Sequence, residues 1–254
     1  MSWAQNKIAV TRAAAAGAAL FGLASGAIAL AEPAIIVKST VKDYKVGSKI
    51  DDQDTITLAT GDKVSVLTTK GSRTMKGPGT FVVGANPKSN RSRFTNLKRR
   101  GASTRTDPGA VRGALTADSS GRPLSPKVFY VDVTRSGQMC LSNVQDVSLW
   151  RPYDDQSANY LVNGPDLEAP VSVFFGERKS VAPPQEQTLA LSDGATYTIV
   201  GGQAGEGPAV TIASVTIVDL GQDYARADQL ADALFENGCM AQFEILRERL
   251  VPDD

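Results

Sequence analysis

Several groups of residues in this chain have types and spacing that chemistry could use. Asp51, Asp52 and Asp54 stand together as D-D-Q-D, and Asp154 and Asp155 form a second acidic pair. Gly201, Gly202, Gly205 and Gly207 fall in one glycine-rich loop, and Cys140 and Cys239 are the two cysteines. Calcium takes about six to eight oxygens, and an EF-hand loop adds a fixed glycine and a distal glutamate. Neither acidic cluster has that spacing, so both read as turns with acidic starts. A phosphate cradle needs a helix directly behind its glycines. None is predicted after Gly207, so that loop reads as a β turn. The chain contains no histidine, which removes the usual general base, the Ser-His and Cys-His nucleophile pairs and the commonest metal ligand. Carboxylates or a lysine would have to carry any catalysis, and no constellation for it stands out. The expectation is therefore a non-enzymatic protein with no cofactor and no metal.

The aromatic and basic residues offer recognition instead. Trp150, Arg151, Pro152 and Tyr153 form a short W-R-P-Y patch, and aromatic and arginine residues are enriched at binding hot spots. The other reading places Trp150 in the core, with Arg151 at its edge. Between Lys88 and Arg105 there are seven basic residues and no acid, with Lys98, Arg99 and Arg100 consecutive. This run reads either as a solvated tether or as a contact for anionic lipid headgroups or another anionic envelope polymer. With Phe94 as its single aromatic it has no stacking platform for nucleic acid.

The elements that must position these groups are mostly strands. Of 254 residues, the first 31 are set apart: Lys7 and Arg12 precede an alanine- and glycine-rich apolar run that ends at Ala29-Leu30-Ala31. That is the layout of a secretory signal peptide cleaved after Ala31, with an uncleaved anchor as the other reading. Removing this segment turns a neutral chain into one of charge −2. No later stretch is apolar enough to span a membrane. The expected location is periplasmic or secreted. There the two cysteines read as one disulfide, whose loop of about 100 residues would contribute up to about 4.7 kcal/mol on a chain-entropy account. Two separate buried thiols are the alternative.

Residues 32–84 alternate apolar and polar positions around Gly47, Gly61, Gly71 and Gly77-Pro78-Gly79, the signature of short antiparallel hairpins. The order of Gly47, an I-T-L strand, G-D-K-V-S-V-L and G-P-G-T-F is similar to the FecR-type β domain. The resemblance covers residues 34–84 and implies a periplasmic β module; no site residues carry over. Residues 85–126 read as a flexible basic linker. Residues 127–220 hold seven or eight short strands punctuated by glycine and proline, which predicts an immunoglobulin-like β-sandwich. From residue 221 the period becomes helical: Tyr224, Ala227, Leu230 and Leu234, then Cys239, Phe243, Leu246 and Leu250, with Asp223 as N-cap and Asn237-Gly238 as the break. The hairpin should dock on the sandwich, pinned by Cys140–Cys239. The fold class expected is mainly β, two antiparallel β modules with a C-terminal α-helical hairpin. The function expected is an accessory or sensor-type envelope module that binds another protein; the alternative is a carbohydrate- or peptidoglycan-binding sandwich.

Overall fold

The computed structural model describes residues 32–99, 117–118, 121–153, 155–182, 189–203 and 211–251. The leader, Arg100, Asp154, Gly205 and Gly207 lie outside the described residues. The protein is mainly β, with several antiparallel sheets and two C-terminal helices. Among the described residues no helix is long and apolar enough to cross a membrane.

The N-terminal region forms a four-stranded antiparallel sheet in the order β2-β1-β4-β5, from β1 (Pro33–Ser39), β2 (Lys49–Asp51), β4 (Lys63–Thr68) and β5 (Gly71–Lys76). A separate two-stranded ladder pairs β3 (Thr55–Leu58) with β6 (Gly79–Val82). Alternation in β1 and β4 sends side chains to two different cores. Ala34, Ile36, Val64 and Val66 face the β3–β6 ladder, whereas Ile35, Val37 and Leu67 face the opposite way. A sheet buried on both faces needs a second cover.

That cover is helical. In the stretch expected as a linker, α1 (Arg91–Lys98) places Phe94 and Leu97 one turn apart in the same core as Ile35, Val37 and Leu67. The basic run is therefore a packed helix up to residue 98, because its two apolar residues have helical spacing and a face to bury. The rest of the core comes from α2 (Ala227–Glu236) and α3 (Met240–Leu250), through Leu230, Leu234, Phe243, Leu246 and Leu250. Gly238 breaks the two helices at φ +68°, and Cys239 N–H donates back to the Leu234 carbonyl, as the Asn237-Gly238 stop requires. Asp223 is not the cap of α2, which begins four residues later behind Arg226.

The second β region has a five-stranded sheet in the order β11-β10-β12-β13-β8. Its strands are β8 (Gly137–Leu141), β10 (Ala158–Asn163), β11 (Val171–Phe175), β12 (Thr196–Gln203) and β13 (Thr211–Asp219). A two-stranded ladder of β7 (Tyr130–Asp132) and β9 (Ser148–Trp150) completes the region. The inner face buries Tyr160, Val173, Phe175, Tyr197, Ile199, Val215 and Ile217. Two pairings depart from an all-antiparallel immunoglobulin arrangement: β13 with β8, and β7 with β9, are parallel. β8 precedes the rest of its sheet in sequence and takes the edge beside the last strand, a long connection that permits parallel pairing.

The hairpin does not dock on this region alone. It lies between the two sheets and is tied to both. Toward the N-terminal sheet, Lys38 pairs with Glu248 at 2.8 Å, Lys49 with Asp232 and Glu236 at 2.8 and 2.9 Å, and Ser72 Oγ donates to the Leu250 carbonyl. Phe235 fills the space over Gly47, where φ is +86° and any Cβ would strike the ring. Toward the second sheet, the sulfurs of Cys140 on β8 and Cys239 before α3 lie at disulfide distance, with Cα atoms 5.9 Å apart. Beside them Gln242 is fully buried. Its Oε1 accepts from Cys140 N–H at 2.7 Å, and its Nε2 donates to the carbonyls of Cys140 and Val128 at 2.6 and 2.8 Å. One amide side chain thus serves the outer edge of β8 as another strand would.

Replacing Gln242 with leucine leaves those three buried backbone groups without partners. Gln242→Leu should lower the unfolding free energy by about 3 kcal/mol in urea titrations with the disulfide intact; an unchanged midpoint would contradict this role. Cys140→Ala with Cys239→Ala should cost about 4 kcal/mol. That comparison also tests the bond itself, since wild-type protein should show no free thiol before reduction.

Candidate functional site

The W-R-P-Y patch resolves into one buried wall and one exposed side chain. Trp150 is 2 % exposed on β9, and its carbonyl accepts from Val133 N–H. Arg151 is 3 % exposed. Its Nε donates to the Lys179 carbonyl at 3.0 Å and one Nη to the Gly176 carbonyl at 2.9 Å, with the guanidinium 5.2 Å from the Phe175 ring centroid. Arg151 therefore holds the turn that follows β11 against the core, and only Tyr153, 65 % exposed, is offered to solvent. Arg151→Ala should destabilise the protein by about 2–4 kcal/mol, as expected when a buried charged side chain and its two hydrogen bonds to partly buried carbonyls are lost. Thermal melts check this, with Tyr153→Ala as the near-neutral control.

The basic residues are likewise separated by their surroundings. Lys98 turns inward: its ammonium lies 5.0 Å from the Phe94 ring centroid and donates to Asp223 at 2.8 Å and to the Tyr224 carbonyl. Arg99 stays exposed beside a cleft of about 430 Å³ lined by Thr95, Lys98, Arg99, Ser142 and Asp223. Burial pushes the Lys127 ammonium below its ordinary value, and the nearby Arg99 and Arg249 guanidinium groups push it further. Lys127 donates to the Asn96 carbonyl near the end of α1, where cations complement the helix dipole. The structure thus places Lys98 and Arg99 at one basic corner, well separated in sequence from Trp150, Arg151 and Tyr153.

The acidic cluster D-D-Q-D performs turn work. Asp51 Oδ1 accepts from Gln53 N–H, Asp54 Oδ2 from Asp51 N–H, and Asp52 Oδ1 from Glu32 N–H. Among the described residues, no group of three or more acidic or cysteine side chains has the geometry of a metal site.

The feature the sequence reading did not single out is the free edge of the larger sheet. Most of the other sheet edges are short or covered. β8 is capped by Gln242, β2 is three residues long, and β5 exchanges hydrogen bonds at Ser72 with Lys88. β11 pairs on one side with β10, and among the described residues nothing pairs with its other side. Its inward residues Val173 and Phe175 are fully buried, while Ser172 and Phe174 point outward and Phe174 is 56 % exposed. A five-residue edge without lysine, proline or a bulge lacks the devices that usually discourage pairing with another chain. The apolar run V-S-V-F-F was visible in sequence as a strand; which neighbour it would lack was not.

The flanks of β11 are charged and fixed. On the entry side, Asp166 accepts from the Ser192 hydroxyl and from Tyr197 Oη, the latter at 2.6 and 2.7 Å. These hydrogen bonds, Ser192 first and then Tyr197, hold the Asp166 carboxyl below its ordinary value. Burial, and then the hydrogen bond to Asp166, raise the Tyr197 phenol. Because the folded-state value of Asp166 is the lower one, its stabilising contribution is present above the unfolded value and is lost as pH falls through the folded value. In carboxyl-detected NMR titrations, Tyr197→Phe should move Asp166 up toward an ordinary aspartate; no movement would show the phenol to be idle.

Comparisons of the chain with protein-family models, with curated proteins and with solved structures returned no match.

Proposed function

We propose that this is an exported, non-enzymatic envelope protein, an accessory or sensor-type module that binds another protein through the free edge of its larger sheet. The observation that carries the reading is β11, a strand with no partner on one side among the described residues and with Phe174 exposed on it. Strand addition to such an edge supplies affinity through main-chain hydrogen bonds and specificity through alternate side chains. Export is supported by the leader-like residues 1–31 and by the cysteine pair at disulfide distance. The β1–β2 hairpin around Gly47 and the β4–β5 hairpin around Gly71 support assigning residues 34–84 to a FecR-type β domain, whereas the turns at Gly61 and at Gly77 to Gly79 join strands of different sheets. The corner bearing Arg99, Lys127 and Arg249 supports a secondary contact with anionic lipid headgroups or another anionic envelope polymer. The carbohydrate-binding alternative draws on the exposed rings of Tyr153 and Phe174, which sugar stacking would require.

The test is capture of envelope proteins on the immobilised protein, purified after expression of the full chain. Wild-type protein should retain a partner that Phe174→Lys loses, because a lysine on an edge strand opposes strand addition. Equal retention by both forms would overturn the edge reading. Co-sedimentation with insoluble peptidoglycan that depends on Tyr153 would favour the alternative.

A further inference from the structure

We propose that the strand added to β11 is β11 of a second copy, so that two five-stranded sheets join edge to edge in antiparallel fashion. This rests on the reading of β11 as the binding edge and specifies its occupant. Charge complementarity selects this occupant. The segment entering β11 carries Asp166 and Glu168, and the segment leaving it carries Glu177, Arg178 and Lys179. Arg178 and Glu177 are exposed and only loosely paired, 3.7 Å apart. Glu168 is exposed and has no ion pair among the described residues.

A parallel copy would set acidic flank against acidic flank. An antiparallel copy does the reverse at both ends of the strand, since a two-fold axis makes every contact occur twice. With the axis at Val173, Ser172 of one copy lies across from Phe174 of the other, and Glu168 falls toward Arg178. The small serine leaves room for the phenylalanine ring, and the buried residues Val173 and Phe175 need not move. Lysine, which blunts many natural edges, is placed here only beyond the strand, at Lys179, where it adds to the complementary flank.

Sedimentation equilibrium of the purified full-chain product tests this. Wild-type protein should dimerise reversibly. Glu168→Lys and Arg178→Glu should each weaken the dimer about tenfold by replacing paired attractions with repulsions. The double variant E168K/R178E should recover the wild-type association. Both positions are exposed, so unchanged melting temperatures verify the fold of each variant. A monomer at all concentrations, or a dimer indifferent to the swaps, would overturn the proposal. If the protein is monomeric and Phe174→Lys still abolishes capture of an envelope protein, the self-pairing fails while the binding role of the edge stands. If neither dimer nor capture responds to Phe174→Lys, both fail together.

Discussion

The arrangement depends on a buried contact between α3 and the outer edge of β8. Gln242 presents a donor and an acceptor in the plane of that strand and satisfies backbone groups of Cys140 and Val128 that the sheet leaves unpaired. A buried backbone group without a partner costs about 1–3 kcal/mol, so a helix packing on a sheet edge would ordinarily be unfavourable. The glutamine removes that obstacle, and the Cys140–Cys239 pair holds the same two elements in register beside it. The apolar residues of α2 and α3 are then free to cover the second face of the N-terminal sheet. Neither helix is long enough to be stable alone, and the N-terminal sheet would expose Ile35, Val37 and Leu67 without them.

The functional consequence is positional. Closing β8 leaves β11, among the described residues, as the free edge of its sheet, and side chains on both sides of the strand hold it in place. Arg151 fastens the turn after it, and Asp166 and Tyr197 fasten the approach before it. An edge fastened on both sides loses little conformational freedom when a strand is added, which is what the proposed strand addition would need. Arg151, a possible binding residue in sequence, serves this support, and Trp150 lies buried, in keeping with the reading that places it in the core.

Much of the architecture was legible in the residues. Alternation in I-T-L and the short apolar run V-S-V-F-F marked strands, the 3.6-residue recurrence after residue 221 marked two helices, Asn237-Gly238 marked their break, and an even cysteine pair marked the link. What escaped was long-range. Phe94 and Leu97 have helical spacing, but amid seven basic residues their pattern is too short to outweigh composition. Gln242 is an ordinary polar residue on a helix until its partners, about a hundred residues away, are known. Parallel pairing of β13 with β8 and the open side of β11 are properties of strand order, which local periodicity does not encode.

The central claim is that the C-terminal helices bind both β regions into one cooperative structure. Native-state hydrogen exchange in the purified protein tests it most directly, by comparing amides of Val66 and Leu67 on β4 with those of Met139 and Cys140 on β8. Both sets should exchange only through the same global opening, with matching free energies and denaturant dependence. Exchange of the β4 amides through a separate, lower-energy opening that leaves β8 protected would contradict it.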